Sequence, residues 1–157
     1  MSITWRRRWF TDAVKRAAVA VAFWMLAGSA WAASVSVSGA FARATPPGAV
    51  NGVVYLTLCS DQDDALTGVS SPVARGAMLH KTTMAGMVMD MDMLSKIDLP
   101  AGQAVVLQPD QMHIMLTGLK QPLVKGSSIP LHLTFAYAPA LDIDVPVGSI
   151  AAAAPGE

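Results

Sequence analysis

From residue 34 onward, apolar positions recur at every second residue or in short unbroken runs, and turn-forming clusters interrupt them at close intervals. The breaks are "TPPGA", "SDQDDA", "SSPVARG", "LPAGQ", "QPDQ", "LKQPLVKGSSIP" and "APALD". Between them the pattern predicts strands at 34–42, 51–60, 66–71, 77–82, 87–93, 103–108, 113–119, 128–137 and 141–147. Strand 128–137 shows the logic. Leu131, Leu133, Phe135 and Tyr137 fall on one face and read as core; His132, Thr134 and Ala136 fall on the other, where His132 is expected to be solvated. No segment in this region carries a long 3.6-residue period with helix caps. Many short strands at this spacing predict a single all-β domain, an antiparallel sandwich or barrel, over residues 33–150. The last residues, 151–157, are expected to be a disordered tail with nothing to bury.

The first 32 residues follow another pattern. "MSITWRRRWFTDAVKR" is basic, "AAVAVAFWMLA" is uncharged and apolar, and "GSAWAA" ends in the A-x-A step Ala30-Trp31-Ala32. These are the three regions of a signal peptide, 1–32, cut after Ala32. The apolar run is shorter than the roughly 20 residues that span a bilayer, so no stable membrane insertion is expected after cleavage. Ala33 rather than cysteine follows the cut. "RRRWF" also fits a twin-arginine signal, but an ordinary basic leader and Sec export are the expectation. Residues 33–157 keep six of the eleven basic and ten of the eleven acidic residues, a formal charge of −4. That excludes the basic surface a nucleic-acid partner would need. The one cysteine, Cys59, makes no internal disulfide.

The candidate chemistry is concentrated. Beyond the leader lie eight methionines, Met78, Met84, Met87, Met89, Met91, Met93, Met112 and Met115, all within 38 positions that also hold His80 and His113. In an extended "MVMDMDM", Met87, Met89, Met91 and Met93 share one face, while Val88, Asp90 and Asp92 share the other. His113 and Met115 share a face, as do Met78 and His80. Thioether sulfur is soft and neutral and selects Cu(I); imidazole accepts several metals. Zinc sites use Cys, His and carboxylate, and calcium and magnesium want oxygen. Thioethers also form no disulfides, which suits a soft site outside the reducing cytosol.

His80, Met91, His113 and Met115 stand in the spacing H-x10-M-x21-H-x-M. With the flanking "HKTTMAGMVMDM" and "LPAGQAVVLQPDQMHIMLTGLKQPLVKGSSIPLHLTF", this resembles the periplasmic copper chaperones of the PCuAC family over roughly positions 35–148. The resemblance implies a cupredoxin-like β-sandwich. It implies a Cu(I) site made by His80, Met91, His113 and Met115. Strand alternation, not the resemblance, makes Met89 the best auxiliary candidate, since it neighbours Met91 on one face, and Cu(II) is a second oxidation state to test. The resemblance also implies delivery to a recipient such as the Cu(A) centre of cytochrome c oxidase, with a Sco-like thioredoxin-fold partner. Lys81 stands where relatives often have an acidic residue, and Asp110, Gln111 and Met112 replace a glycine-and-aromatic stretch.

Three rival readings are weighed. Periplasmic copper storage or resistance shares the ligands. A non-metal β-sandwich assembly module shares the fold. A blue-copper electron carrier needs a cysteine with two histidines, and Cys59 has no histidine at short spacing. Enzyme classes have little support: there is no C-x-x-C, no phosphate loop and no nucleophile motif.

Overall fold

The computed structural model describes residues 33–85 and 88–156, with the side chains at 84–89 also left out of the description. Residues 1–32, expected to be a signal peptide, therefore lie outside the described residues. These contain no helix, and nothing long and apolar enough to cross a membrane as one.

The described residues form ten strands: β1 (Val35–Arg43), β2 (Asn51–Ser60), β3 (Asp64–Ser70), β4 (Gly76–Ala85), β5 (Val88–Leu94), β6 (Ile97–Leu99), β7 (Ala104–Leu107), β8 (Met112–Thr117), β9 (Ser128–Phe135) and β10 (Leu141–Gly148). Their order is β5-β4-β8-β2-β1-β10-β9-β3-β6, with β7 also on β2. All neighbours are antiparallel except β1 and β10, which run parallel through Ala42↔Val147 and Arg43↔Gly148. That short seam joins two sheets into one nearly closed, barrel-like wall, the cupredoxin-like β-fold expected. β6 is the strand the pattern did not predict: three residues are too few to display a period.

The core is the inner face of that wall. Leu56, Leu58, Leu66, Leu99, Leu116, Leu131 and Leu133 are almost wholly buried, each contributing about 1.5–3 kcal/mol relative to exposure. β9 alternates as expected at Leu131, Leu133 and Phe135, but Tyr137 is 79% exposed. The strand stops at Phe135 because the buried Asp64 carboxylate draws the next amides inward. Its Oδ1 accepts from Ala65 N (2.7 Å) and Tyr137 N (3.0 Å), and its Oδ2 from Ala138 N (2.8 Å). Past that bend the alternation no longer applies, and Tyr137 turns outward. His132 sits on the wet face, 2.6 Å from Asp142.

The C-terminal segment departs from expectation. Ala152 is fully buried against Phe41 and Tyr55, and its carbonyl accepts from Arg43 Nε at 2.8 Å. Composition predicted a tail without a partner. A small side chain fits where two aromatic rings leave a shallow seat, and a guanidinium satisfies the backbone. This second apolar cluster lies on the outer face of the sheet, apart from the core.

Candidate metal centre

β4, β5 and β8 lie side by side, and their register fixes which side chains share a face. Directly opposed residues of an antiparallel pair point the same way. His80 is opposed by His113 on β8 and by Met93 on β5. Met78 is opposed by Met115, and Met91 by Thr82. Stepping by two along each strand places Met78, His80, Met91, Met93, His113 and Met115 on one face. The opposite face carries Leu79 and Ile114 into the core. The histidines and methionines thus look away from the core, on the outside of the wall.

The two imidazoles are close, with ring centroids 5.8 Å apart. His113 is 5% exposed, and a turn just upstream fixes it. Residues 108–111 break the edge of β2 between β7 and β8, with Asp110 in the left-handed region at φ 63°. Gln111 then presents its carbonyl to two donors: Thr82 N at 3.0 Å, tying the turn to β4, and His113 Nδ1 at 3.3 Å. A carbonyl can only accept, so Nδ1 carries the proton and Nε2 keeps its lone pair. Such a backbone carbonyl behind the ring is the usual support of a metal-binding histidine. Burial pushes the His113 pKa below 6.5; the Gln111 carbonyl works against that shift and His80 adds to it. The imidazole is therefore held neutral. Beyond it, Tyr55 meets its edge at 6.4 Å, backed by Phe41 at 5.2 Å and by the Arg43 guanidinium 5.4 Å from the Tyr55 ring centre.

His80 is half-buried, and its Nδ1 is shielded from solvent with no hydrogen-bond partner among the described residues. A buried nitrogen left so costs free energy, about 1–3 kcal/mol, unless something else engages it. The methionines show the opposite anomaly. Met91 is 54% exposed, Met93 70% and Met78 36%, while Met115 is half-buried. A large thioether in water is as informative as a polar group out of it. Among the described residues no three His, Cys, Asp or Glu gather. What the surface offers an ion is two imidazoles surrounded by thioethers, a set that suits a soft monovalent cation and neither zinc nor calcium.

The structure brings His80 and His113 together and sets Met115 next along the His113 strand. Met91 is on the same face but one diagonal step from His80, towards the hairpin turn. Met89 is opposed by Met84, and its side chain lies outside the described residues. Sequence reasoning missed Tyr55 and Gln111, which carry no local signal. It placed Met93 on the methionine face but did not place it opposite His80.

A family model, "Putative lipoprotein LpqE-like", matches residues 35–147. The chain belongs to the LpqE-like family. "Putative lipoprotein Lxx21020" of Leifsonia xyli is 36% identical over 83 residues, which cover 52% of this chain and 50% of that protein. The match thus spans about half the length of that relative. Among solved structures, the solution structures of DR1885 from Deinococcus radiodurans, apo and Cu(I)-bound, are 35% identical. The Cu(I) form covers 77% of this chain and 83% of its own, with a TM-score of 0.58. The copper-bound PCuAC domain from PmoF2 is 22% identical, covers 73% of this chain and 92% of its own, and has a TM-score of 0.63. This LpqE-like chain therefore has the fold of the PCuAC domains.

Proposed function

We propose that this protein is an exported Cu(I) metallochaperone whose ion is held by His80, Met91, His113 and Met115. The observation that carries the reading is the His80–His113 pair on a methionine-covered outer face, with one buried imidazole nitrogen unengaged. The Cu(I) form of a 35% identical relative supports copper as cargo, and the lipoprotein names of the family and of the Leifsonia relative support export. Residues 1–32 serve as the export signal, and the periplasm is the compartment.

Neutral ligands on an exposed sheet face suit delivery. Imidazole and thioether hold Cu(I) without adding charge, and exposed Met91 is replaceable by an incoming donor without opening the fold. His113, held neutral and oriented by Gln111, needs no proton loss before binding. The recipient we favour is the Cu(A) centre of a cytochrome oxidase, with a Sco-like protein as partner. The test is anaerobic transfer from the Cu(I)-loaded protein to a purified Cu(A) subunit. Transfer within minutes supports a chaperone; retention in the presence of excess acceptor supports storage instead.

A further inference from the structure

The register of the β4–β5 hairpin points to a ligand that the four-residue motif does not contain. We propose that Met93 is an interchangeable thioether donor for the same ion, alternating with Met91 beside His80. This rests on the Cu(I) reading above and deepens it.

Three observations converge. First, His113, His80 and Met93 form one row across three adjacent strands, through the pairs His80↔His113 and His80↔Met93. Opposed residues have Cα atoms about 4.5–5.5 Å apart, while the diagonal position of Met91 is about 7–8 Å from His80. Second, Met91 and Met115 lie on opposite sides of that row, since Met91 is opposed by Thr82 and Met115 by Met78. Along the strands they are separated by about 13 Å, whereas Met93 and Met115 are separated by about 7 Å. An ion between the imidazoles is thus nearer to Met93 than to Met91 when Met115 also binds. Third, Met93 and Met78 border an open cleft of roughly 190 Å³ beside Thr67, Gly68 and Ser95, so the Met93 side chain has room to move. No packing role accounts for Met93 at 70% exposure.

The alternating run explains why two methionines serve one position. A one-residue slip of a strand inverts its faces, but a two-residue slip preserves them. Shifting β5 by two would bring Met91 opposite His80, with Asp90 and Asp92 still on the other face. Either register leaves a thioether beside the histidine. During transfer, one thioether can leave to make room for the acceptor while the other keeps the ion on the protein. In the exchange of one thioether for the other only copper–sulfur bonds form and break; release then replaces the remaining copper–sulfur and copper–imidazole bonds with bonds to the acceptor's donors, and the ion stays Cu(I) throughout.

The experiment is a competition titration of Cu(I) into wild type, Met91→Leu, Met93→Leu and the double variant, each checked for folding by thermal denaturation. We expect each single variant to stay within about tenfold of wild-type affinity and the double variant to lose about a hundredfold or more. In wild type labelled at methionine methyls, the Met93 resonance, assigned from Met93→Leu, should shift with the first equivalent of Cu(I). The inference is overturned if Met93→Leu has no effect in either the wild-type or the Met91→Leu background. It is also overturned if Met91→Leu alone removes the whole affinity. Absence of Cu(I) binding by wild type would instead remove the metallochaperone reading on which this one stands.

Discussion

Replacing Asp64 probes a buried carboxylate that ties β3 to the end of β9. Asp64 is 6% exposed, and its carboxylate accepts from three backbone amides: Ala65 and Ala138, in buried bonds, and Tyr137, in a partly buried one. Asp64→Ala removes the acceptor from all three. Water can reach the Tyr137 amide, but the other two remain enclosed, at about 1–2 kcal/mol each, so the expected loss is about 3 kcal/mol. That is a large share of the roughly 5–15 kcal/mol that stabilises a domain of this size. Asp64→Asn keeps one carbonyl oxygen for Ala65 and Tyr137 but turns a donor towards Ala138 N, so its loss should be intermediate. Burial raises the Asp64 pKa, but the amide donors outweigh it and hold the pKa below the ordinary 3.8. The folded state therefore binds the proton less readily than the unfolded chain. The stabilisation is complete above pH 3.8 and is lost as pH falls through the folded value. The assay is urea denaturation of wild type and both variants at neutral pH and below pH 3.8, followed by circular dichroism. In acid the gap between wild type and Asp64→Ala should narrow, and wild type should approach Asp64→Asn, because a protonated carboxyl keeps one acceptor oxygen as the amide does. A neutral-pH loss below about 1 kcal/mol for Asp64→Ala, or a gap that does not narrow in acid, would refute the reasoning.

Two further outcomes are expected. His113, held below its ordinary 6.5 chiefly by burial, should titrate by NMR with a midpoint under that value; the apo domain should lose stability as pH drops below 6.5, because the unfolded chain takes up the proton first. A midpoint at or above 6.5 would show that the ring is not desolvated as described. Deleting residues 151–157 uncovers Phe41 and Tyr55 and frees the Arg43 guanidinium, at a cost of about 1–2 kcal/mol in thermal or urea denaturation. Every tryptophan lies in residues 1–32, so tyrosine fluorescence of residues 33–157 reports on Tyr55 and Tyr137 alone and should change on that deletion.

Flanking turn clusters were enough to place β2 at its observed bounds, and period-two alternation sorted Leu131, Leu133 and Phe135 from His132 because β9 has one buried face. It failed at Tyr137, where an ionised side chain 73 residues away, Asp64, sets the end of the strand. Such a cause has no local signature. It failed likewise for Ala152, whose burial depends on Phe41 and Tyr55 meeting on a remote part of the wall. The site divides in the same way. Strand faces were legible, so His113 and Met115, and Met78 and His80, were paired correctly within their strands. Pairing between strands depends on register, which alternation alone leaves free by two residues. Hence the row His113–His80–Met93, the Gln111 carbonyl behind His113 and the Tyr55 edge came only with the fold.

The central claim is that two imidazoles on a thioether-covered face bind one Cu(I). It is tested most directly by anaerobic titration of residues 33–157 with Cu(I) against a chromophoric chelator, beside His80→Ala and His113→Ala. One tight equivalent is expected in wild type and at least about a tenfold loss of affinity in each histidine variant, with the fold retained. Failure of wild type to compete with the chelator, or wild-type affinity in both variants, would contradict it.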